Sequence, residues 1–378
     1  MISPEFLFNQ LKENGINFFT GIPDSLLKDF CAYLTDNVSD TNHIITANEG
    51  SAVGLACGYH LATNGIPLVY MQNSGLGNTV NPLLSLADKN VYSIPLLLLI
   101  GWRGEPGIKD EPQHISQGEV TLSLLDAIKI PYHVLEADEN NISLQLKTIF
   151  NYLRKDNSPF ALVIKKDTFI PYKLKKIIKE KSSLSREKAI IAVTEQIKDD
   201  GVIISTTGMI SRELYEYRER INKEHNRDFL TVGSMGHASL IALGIALNKP
   251  DKKVYCFDGD GAMLMHLGGL STIGSIKPLN YIHIIFNNCA HDSVGGQPTS
   301  ADNIDIQAMA KSLGYVFTFK ADNTEEITSF FKVIKNLKNG PVLLEILVKK
   351  GARKDLGRPK TLPLENKKIF MEFLLKNK

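Results

Sequence analysis

The chain has 378 residues, 43% of them hydrophobic and 22% charged, and a formal net charge of +2. That length is generous for one compact core and suits two α/β domains. The near-neutral balance carries no nucleic-acid footprint and no membrane-surface patch, so a charged substrate has to be read from local charge.

Ser3-Pro4 reads as a helix start, with Ser3 as N-cap and Pro4 in the first helical position, and not as a signal peptide. Phe6, Leu7 and Leu11 follow at helical spacing. Short apolar runs then alternate with helical patterns, and strands are predicted near 18–19, 43–47, 67–72, 95–100, 132–135 and 161–164. The longest apolar run, 94–101, has eight residues, which is too short to span a bilayer and right for a buried strand. Several runs are continuously apolar, as a sheet covered on both faces requires. The scheme repeats with strands near 202–205, 229–232, 254–257, 282–286, 316–319 and 342–348. This alternation predicts an α/β fold with two doubly wound, parallel-sheet domains and no central third domain. The first domain is placed at 1–170, a basic linker at 171–188 and the second domain at 189–378. Lys173, Lys175, Lys176, Lys179 and Lys181 crowd the linker, which reads as solvated chain more readily than as an anion-binding arm. Cys31, Cys57, Cys256 and Cys289 form no C-x-x-C pair and read as reduced thiols of a cytoplasmic protein.

The most informative stretch runs from 254 to 297. An apolar strand enters Asp258-Gly259-Asp260-Gly261-Ala262, a helical segment follows, and the next strand ends in Asn287-Asn288. Glycines on both sides of Asp260 allow close backbone approach to a ligand. The N–H groups of Gly261 and Ala262 open a helix and suit a phosphate. Asp260 and, 28 positions later, Asn288 supply hard oxygens of the kind Mg2+ takes together with phosphate and water. In the first half, Asn48-Glu49-Gly50 precedes a Gly- and Ala-rich helix. Taken alone, Glu49 is a helix-start charge favoured by the dipole.

Together these motifs resemble the thiamine-diphosphate enzymes, and the resemblance covers nearly the whole chain. It implies a pyrimidine-binding domain followed by a diphosphate-binding domain, with thiamine diphosphate and Mg2+ as cofactors. The metal would be held by Asp260, Asn288 and the carbonyl of Ala290, with Asn287 a lesser candidate and Cys289 a bystander. Glu49 would hydrogen-bond the aminopyrimidine ring and drive the proton shift that activates the cofactor. Met235, in Gly233-Ser234-Met235-Gly236, would prop the cofactor into its bent form. Thr207, Gly208, Gly259, Gly261 and Ala262 would surround the diphosphate. The family also implies a homodimer or homotetramer with active sites between subunits.

Longer strings narrow the resemblance to the phosphonopyruvate and sulfopyruvate decarboxylase branch of the 2-keto acid decarboxylases. They are residues 21–27, the loop 101–114, the stretch NCAHDSVGGQPT at 288–299 and the tail GARKDLGRP at 351–359. This implies decarboxylation of an anionic 2-keto acid, 3-phosphonopyruvate, to phosphonoacetaldehyde and CO2 in phosphonate biosynthesis. The sulfonate analogue and a carboligase remain the alternatives. A non-catalytic cofactor-binding subunit would be expected to lack Glu49 or Asp260, and both are present. Ser25 (or Asp24) and His114 are the candidates for contact and proton transfer at the substrate. Arg103, Arg353 and Arg358, with Lys109 and His291 behind them, are the candidates for its anionic groups, because Arg pairs such groups in bidentate fashion.

Overall fold

The computed structural model describes residues 1–176 and 180–376. In chain order the strands are β1 (Phe19–Gly21), β2 (His43–Ile45), β3 (Leu68–Gln72), β4 (Leu97–Gly101), β5 (Tyr132–Val134), β6 (Phe160–Ile164), β7 (Val202–Ser205), β8 (Asp228–Leu230), β9 (Val254–Gly259), β10 (Tyr281–Asn287), β11 (Phe317–Ala321) and β12 (Val342–Leu347). Every predicted strand is present, with ends displaced by a few residues. They form two six-stranded sheets, ordered β2-β1-β3-β4-β6-β5 and β11-β12-β10-β9-β7-β8. Every pairing is parallel. Read from its other edge, the second order is the first with six added to each strand number, so the two sheets share one topology.

The central strands form because both of their faces are covered. β4 and β6 are buried at every position. Alternate residues of β3, β4 and β6 serve opposite faces. Leu68, Tyr70, Leu97, Leu99 and Leu162 pack with Leu7, Leu11, Phe30 and Phe150 on one side. Val69, Met71, Leu98, Ile100 and Val163 pack with Ala52, Val53, Ala56 and Leu125 on the other. The second sheet has a comparable core around Ile203, Phe257, Ile284 and Leu344.

The chain divides into two compact units, Met1–Ile177 with His291–Pro298, and Ile178–Ala290 with Thr299–Lys378. Part of the lysine-rich segment is held in place. Tyr172 N–H donates to Asp29 at 2.9 Å, and the N–H groups of Lys175 and Lys176 donate to Asp36 at 2.9 and 2.8 Å. Lys176 also pairs with Asp40 at 2.7 Å, and Lys181 pairs with Asp302. Lys179 lies outside the described residues. No described helix is long and apolar enough to cross a membrane.

One buried group makes the first unit sensitive to acid. His43 opens β2 and is 9% exposed, with Nε2 at 2.9 Å from the hydroxyl of Tyr70. Burial pushes its imidazole down to about 4 from an ordinary 6.5. The unfolded chain therefore takes up the proton first. The resulting stability is complete above about pH 6.5 and is lost as pH falls towards 4. One proton corresponds to about 1.4 kcal/mol per pH unit at most. His43→Gln keeps a partner for Tyr70 and removes the titration. Its melting temperature is expected to fall less steeply than that of the unmodified protein across that window.

Candidate active site

In the first unit, the segments leaving the carboxyl ends of β1, β2, β3 and β4 carry the polar chemistry, as open parallel sheets dictate. Glu49 is the first residue of the helix Glu49–Thr63, with Asn48 as its N-cap. It is 5% exposed. Asn78 Nδ2 donates to its Oε2 at 2.7 Å, while among the described residues Oε1 has no donor. Gly75 makes this corner possible, because an added Cβ there would stand 2.5 Å from Oε1. A buried carboxylate with one anchored and one open oxygen fits a ring that presents an N–H to it.

The turn that contains Gly75, Asn73–Gly75, also joins this corner to the β4 loop. Asn73 Nδ2 donates to the Arg103 carbonyl and to Thr121 Oγ1, both at 2.8 Å, and its Oδ1 accepts from Arg103 N–H at 3.2 Å. The Arg103 guanidinium grips Asp110 with two nitrogens, Nε at 2.8 Å and Nη2 closer still, and donates through Nη1 to Ser25 Oγ at 2.6 Å. Asp110 also accepts from the N–H of Gly104 at 2.9 Å and of Glu111 at 2.7 Å. Burial raises the Asp110 carboxyl, but Arg103 and the Gly104 N–H outweigh burial and hold it below the usual carboxylate range.

Asp24, next to Ser25, is 1% exposed, and burial pushes its carboxyl up despite bonds from the Leu26 N–H and the charge of Arg103. Only glycine fits opposite it, since a Cβ on Gly101 would come within 2.1 Å of Asp24 Oδ1. His114 lies in the first turn of the helix Pro112–Ala127, and its Nδ1 is buried without a protein partner. Burial, reinforced by the positive charge of Arg103, pushes the ring down to about 4, so it is neutral at physiological pH. Asp24, Ser25 and Arg103 therefore share one hydrogen-bonded network with Asp110, and His114 lies near enough to feel the charges of Arg103 and Asp110. Asp110 lies within the loop 101–114, where nothing local in the sequence marks it as the partner of Arg103. Gln297, in the first unit, is fully buried with neither amide atom satisfied. Buried orphans of this kind mark places where a ligand or water completes the bonding.

In the second unit, Asp260 begins the short helix Asp260–Met265 directly after β9 and is 2% exposed. Its carboxylate accepts from the N–H of Asn288 at 3.4 Å and from the Thr299 hydroxyl. Asn288 Oδ1 accepts from Ala290 N–H at 3.0 Å. Asp260, Asn288 and Ala290 thus come together at the ends of β9 and β10, and carboxylate, amide and carbonyl oxygens form a donor set that fits Mg2+. Asn287, the other candidate ligand, has its amide committed elsewhere. Its Nδ2 donates to Glu345 at 2.7 Å, and its Oδ1 accepts from the N–H of Cys289 at 3.0 Å. Cys289, between Asn288 and Ala290, takes the left-handed φ of 53° that turns the chain. Burial pushes its thiol up to about 11.

Gly208 has φ 93° and precedes the helix Met209–Arg220, and Thr207 Oγ1 donates to the carbonyl of Val232 at 2.9 Å. Met235 is half-buried between Ser234 and Gly236, whose φ values of 50° and 88° make a sharp turn. Behind β9, His283 reaches Asp258 Oδ2 at 3.4 Å through Nε2 and the Tyr315 hydroxyl at 3.1 Å through Nδ1. Cys256, Asp258 and His283 are the described residues whose ligand atoms lie within 4.8 Å of one another, but both His283 nitrogens already have partners.

The tail arginines have work within the unit. Arg353 reaches Glu187 at 3.4 Å, Asp355 at 2.8 Å and, more closely, Glu216. Arg212 donates to the carbonyls of Leu356 and Gly357, at 2.5 and 2.6 Å, so the tail is fastened to the helix Met209–Arg220. The expectation that Arg353 meets the substrate anion therefore has three carboxylates against it. Arg358 is exposed.

Comparison with known proteins agrees with this geometry. Residues 3–127 match the family described as "Thiamine pyrophosphate enzyme, N-terminal TPP binding domain". Residues 206–346 match "Thiamine pyrophosphate enzyme, C-terminal TPP binding domain". The phosphonopyruvate decarboxylase of Streptomyces viridochromogenes is 31% identical over 99% of this chain and 95% of its own length. That of Streptomyces hygroscopicus is 30% identical over 99% and 94%. The sulfopyruvate decarboxylase of Methanosarcina acetivorans is 28% identical over 96% and 95%. With two thiamine-diphosphate-binding domains and end-to-end similarity to these decarboxylases, the chain belongs to the phosphonopyruvate decarboxylase family of thiamine-diphosphate enzymes.

Proposed function

We propose that this protein decarboxylates 3-phosphonopyruvate to phosphonoacetaldehyde and CO2, with thiamine diphosphate and Mg2+. The observation that carries the substrate is similarity to two phosphonopyruvate decarboxylases over 95% and 94% of their lengths. Bound, the cofactor supplies a thiazolium that accepts the electrons of the breaking C–C bond. The chain holds it and governs the protons. Glu49 presents its open Oε1 to the aminopyrimidine ring. Asp260, Asn288 and the Ala290 carbonyl hold Mg2+. Thr207, Gly208, Gly259, Gly261 and Ala262 line the diphosphate, and Met235 supports the bend.

Substrate contact falls to Asp24, Ser25, Arg103 and His114. Arg103 is already fixed by Asp110 and aimed at Ser25, so little side-chain freedom is lost when an anion arrives. Asp24, whose carboxyl is pushed up by burial, is suited to carry a proton to the product, and neutral His114 offers its unpartnered Nδ1. Arg103 is the leading anion ligand and Arg358 the second. We also read the protein as a cytoplasmic homodimer or homotetramer with active sites between subunits. Four unpaired cysteines support the compartment. Gly54, Gly58 and Leu61, exposed on the helix Glu49–Thr63, offer a flat face for a second copy.

Similarity to a sulfopyruvate decarboxylase over 95% of its length favours a second reading, with a sulfonate in place of the phosphonate. CO2 release measured side by side from phosphonopyruvate, sulfopyruvate and pyruvate separates them. Phosphonopyruvate is expected to react fastest, and faster release from sulfopyruvate would transfer the assignment. Glu49→Gln is expected to lower turnover by about 10²–10⁴-fold. Mg2+-dependent uptake of thiamine diphosphate, followed by equilibrium dialysis, should persist in that variant. Full activity in Glu49→Gln would remove Glu49 from the mechanism.

A further inference from the structure

Glu345 lies inside β12 among Leu343, Leu344 and Ile346 and is 2% exposed. A lone carboxylate at such a place has to be matched by donors. Three side chains supply them. Asn287 Nδ2 donates to its Oε1 at 2.7 Å, Gln307 Nε2 donates to its Oε2, and Lys320 Nζ stands 3.6 Å from Oε2. β12 runs beside β10, so Glu345 faces the final turn of the strand that delivers the metal ligands.

Asn287 is the last residue of β10. With Nδ2 fixed on Glu345, its Oδ1 points at the N–H of Cys289, 3.0 Å away. That bond supports the φ of 53° at Cys289, a conformation that residues other than glycine adopt at a cost. The same turn sets Asn288, whose Oδ1 accepts from Ala290 N–H at 3.0 Å. Mg2+ tolerates little departure from octahedral geometry, so a loosened turn would register first in metal affinity.

We propose that Glu345 is a positioning residue for the metal, acting through Asn287 to set the turn that presents the oxygens of Asn288 and Ala290. This rests on the reading that Asp260, Asn288 and Ala290 hold Mg2+. A swap of donor and acceptor tests it. Asn287→Asp sets two carboxylates against each other. Glu345→Gln leaves the amides of Asn287 and Gln307 competing for one oxygen. In the double variant the new amide donates to the new carboxylate and still accepts from Gln307, and Cys289 N–H keeps its acceptor.

The readout is thiamine diphosphate uptake by equilibrium dialysis at rising Mg2+, alongside the melting temperature of each cofactor-free protein. Each single variant should need about tenfold more Mg2+ or more for half-saturation, the usual scale for residues that orient metal ligands. The double should return to within about threefold of the unmodified protein. Single variants that take up Mg2+ normally, or a double variant that binds no better than the weaker single or does not fold, overturn the proposal. Absence of Mg2+-dependent uptake in the unmodified protein is a different result, and it removes the reading of Asp260, Asn288 and Ala290 itself.

Discussion

A parallel strand covered on both faces has room for polar chemistry almost only at its ends, and the whole molecule is arranged around that constraint. β4, β6 and β10 are buried along their full lengths. Asp24, Glu49, Asn73 and Arg103 follow the carboxyl ends of β1, β2, β3 and β4, and Asp260 and Asn288 follow those of β9 and β10. Where an ionisable side chain sits inside a strand, polar partners surround it. Asp258 has His283 and the Gly259 N–H, and Glu345 has Asn287, Gln307 and Lys320.

One topology serves two chemistries. Both sheets have the same strand order, yet the ends of the first bear carboxylates, an arginine and a histidine, and the ends of the second bear hard oxygen donors. Nothing in the fold demands that difference, which lives in the loops. Close approach does part of the work. Gly75 and Gly101 leave room for Glu49 and Asp24 where any other residue would collide with them.

Charge is organised locally, as the near-zero total requires. Arg103 and Asp110 form a nearly neutral pair that holds a loop and aims a donor. Arg186–Glu213 and Arg218–Asp228 are buried pairs within the second unit, with side chains at most 5% exposed. Removing one member would strand its partner in low dielectric. The lysine-rich segment is likewise fastened by Asp29, Asp36 and Asp40, acceptors that lie more than a hundred residues earlier in the chain.

Periodicity in the sequence was enough for the strands, because continuous apolar runs bounded by polar turns leave few alternatives. The local motifs were equally legible. Gly-Asp-Gly at the end of one strand and Asn-Asn at the end of another put Asp260 and the pair Asn287-Asn288 at strand ends, and Asn48-Glu49-Gly50 marks a helix start. A solitary Glu345 in an otherwise apolar strand was a visible signal that only its surroundings could interpret. Tertiary structure alone decided that Asn287 bonds to Glu345, that Arg103 answers to Asp110, and that Arg353 answers to Glu216. Those pairings join residues on different strands and loops. They depend on sheet order and register, which no local pattern encodes.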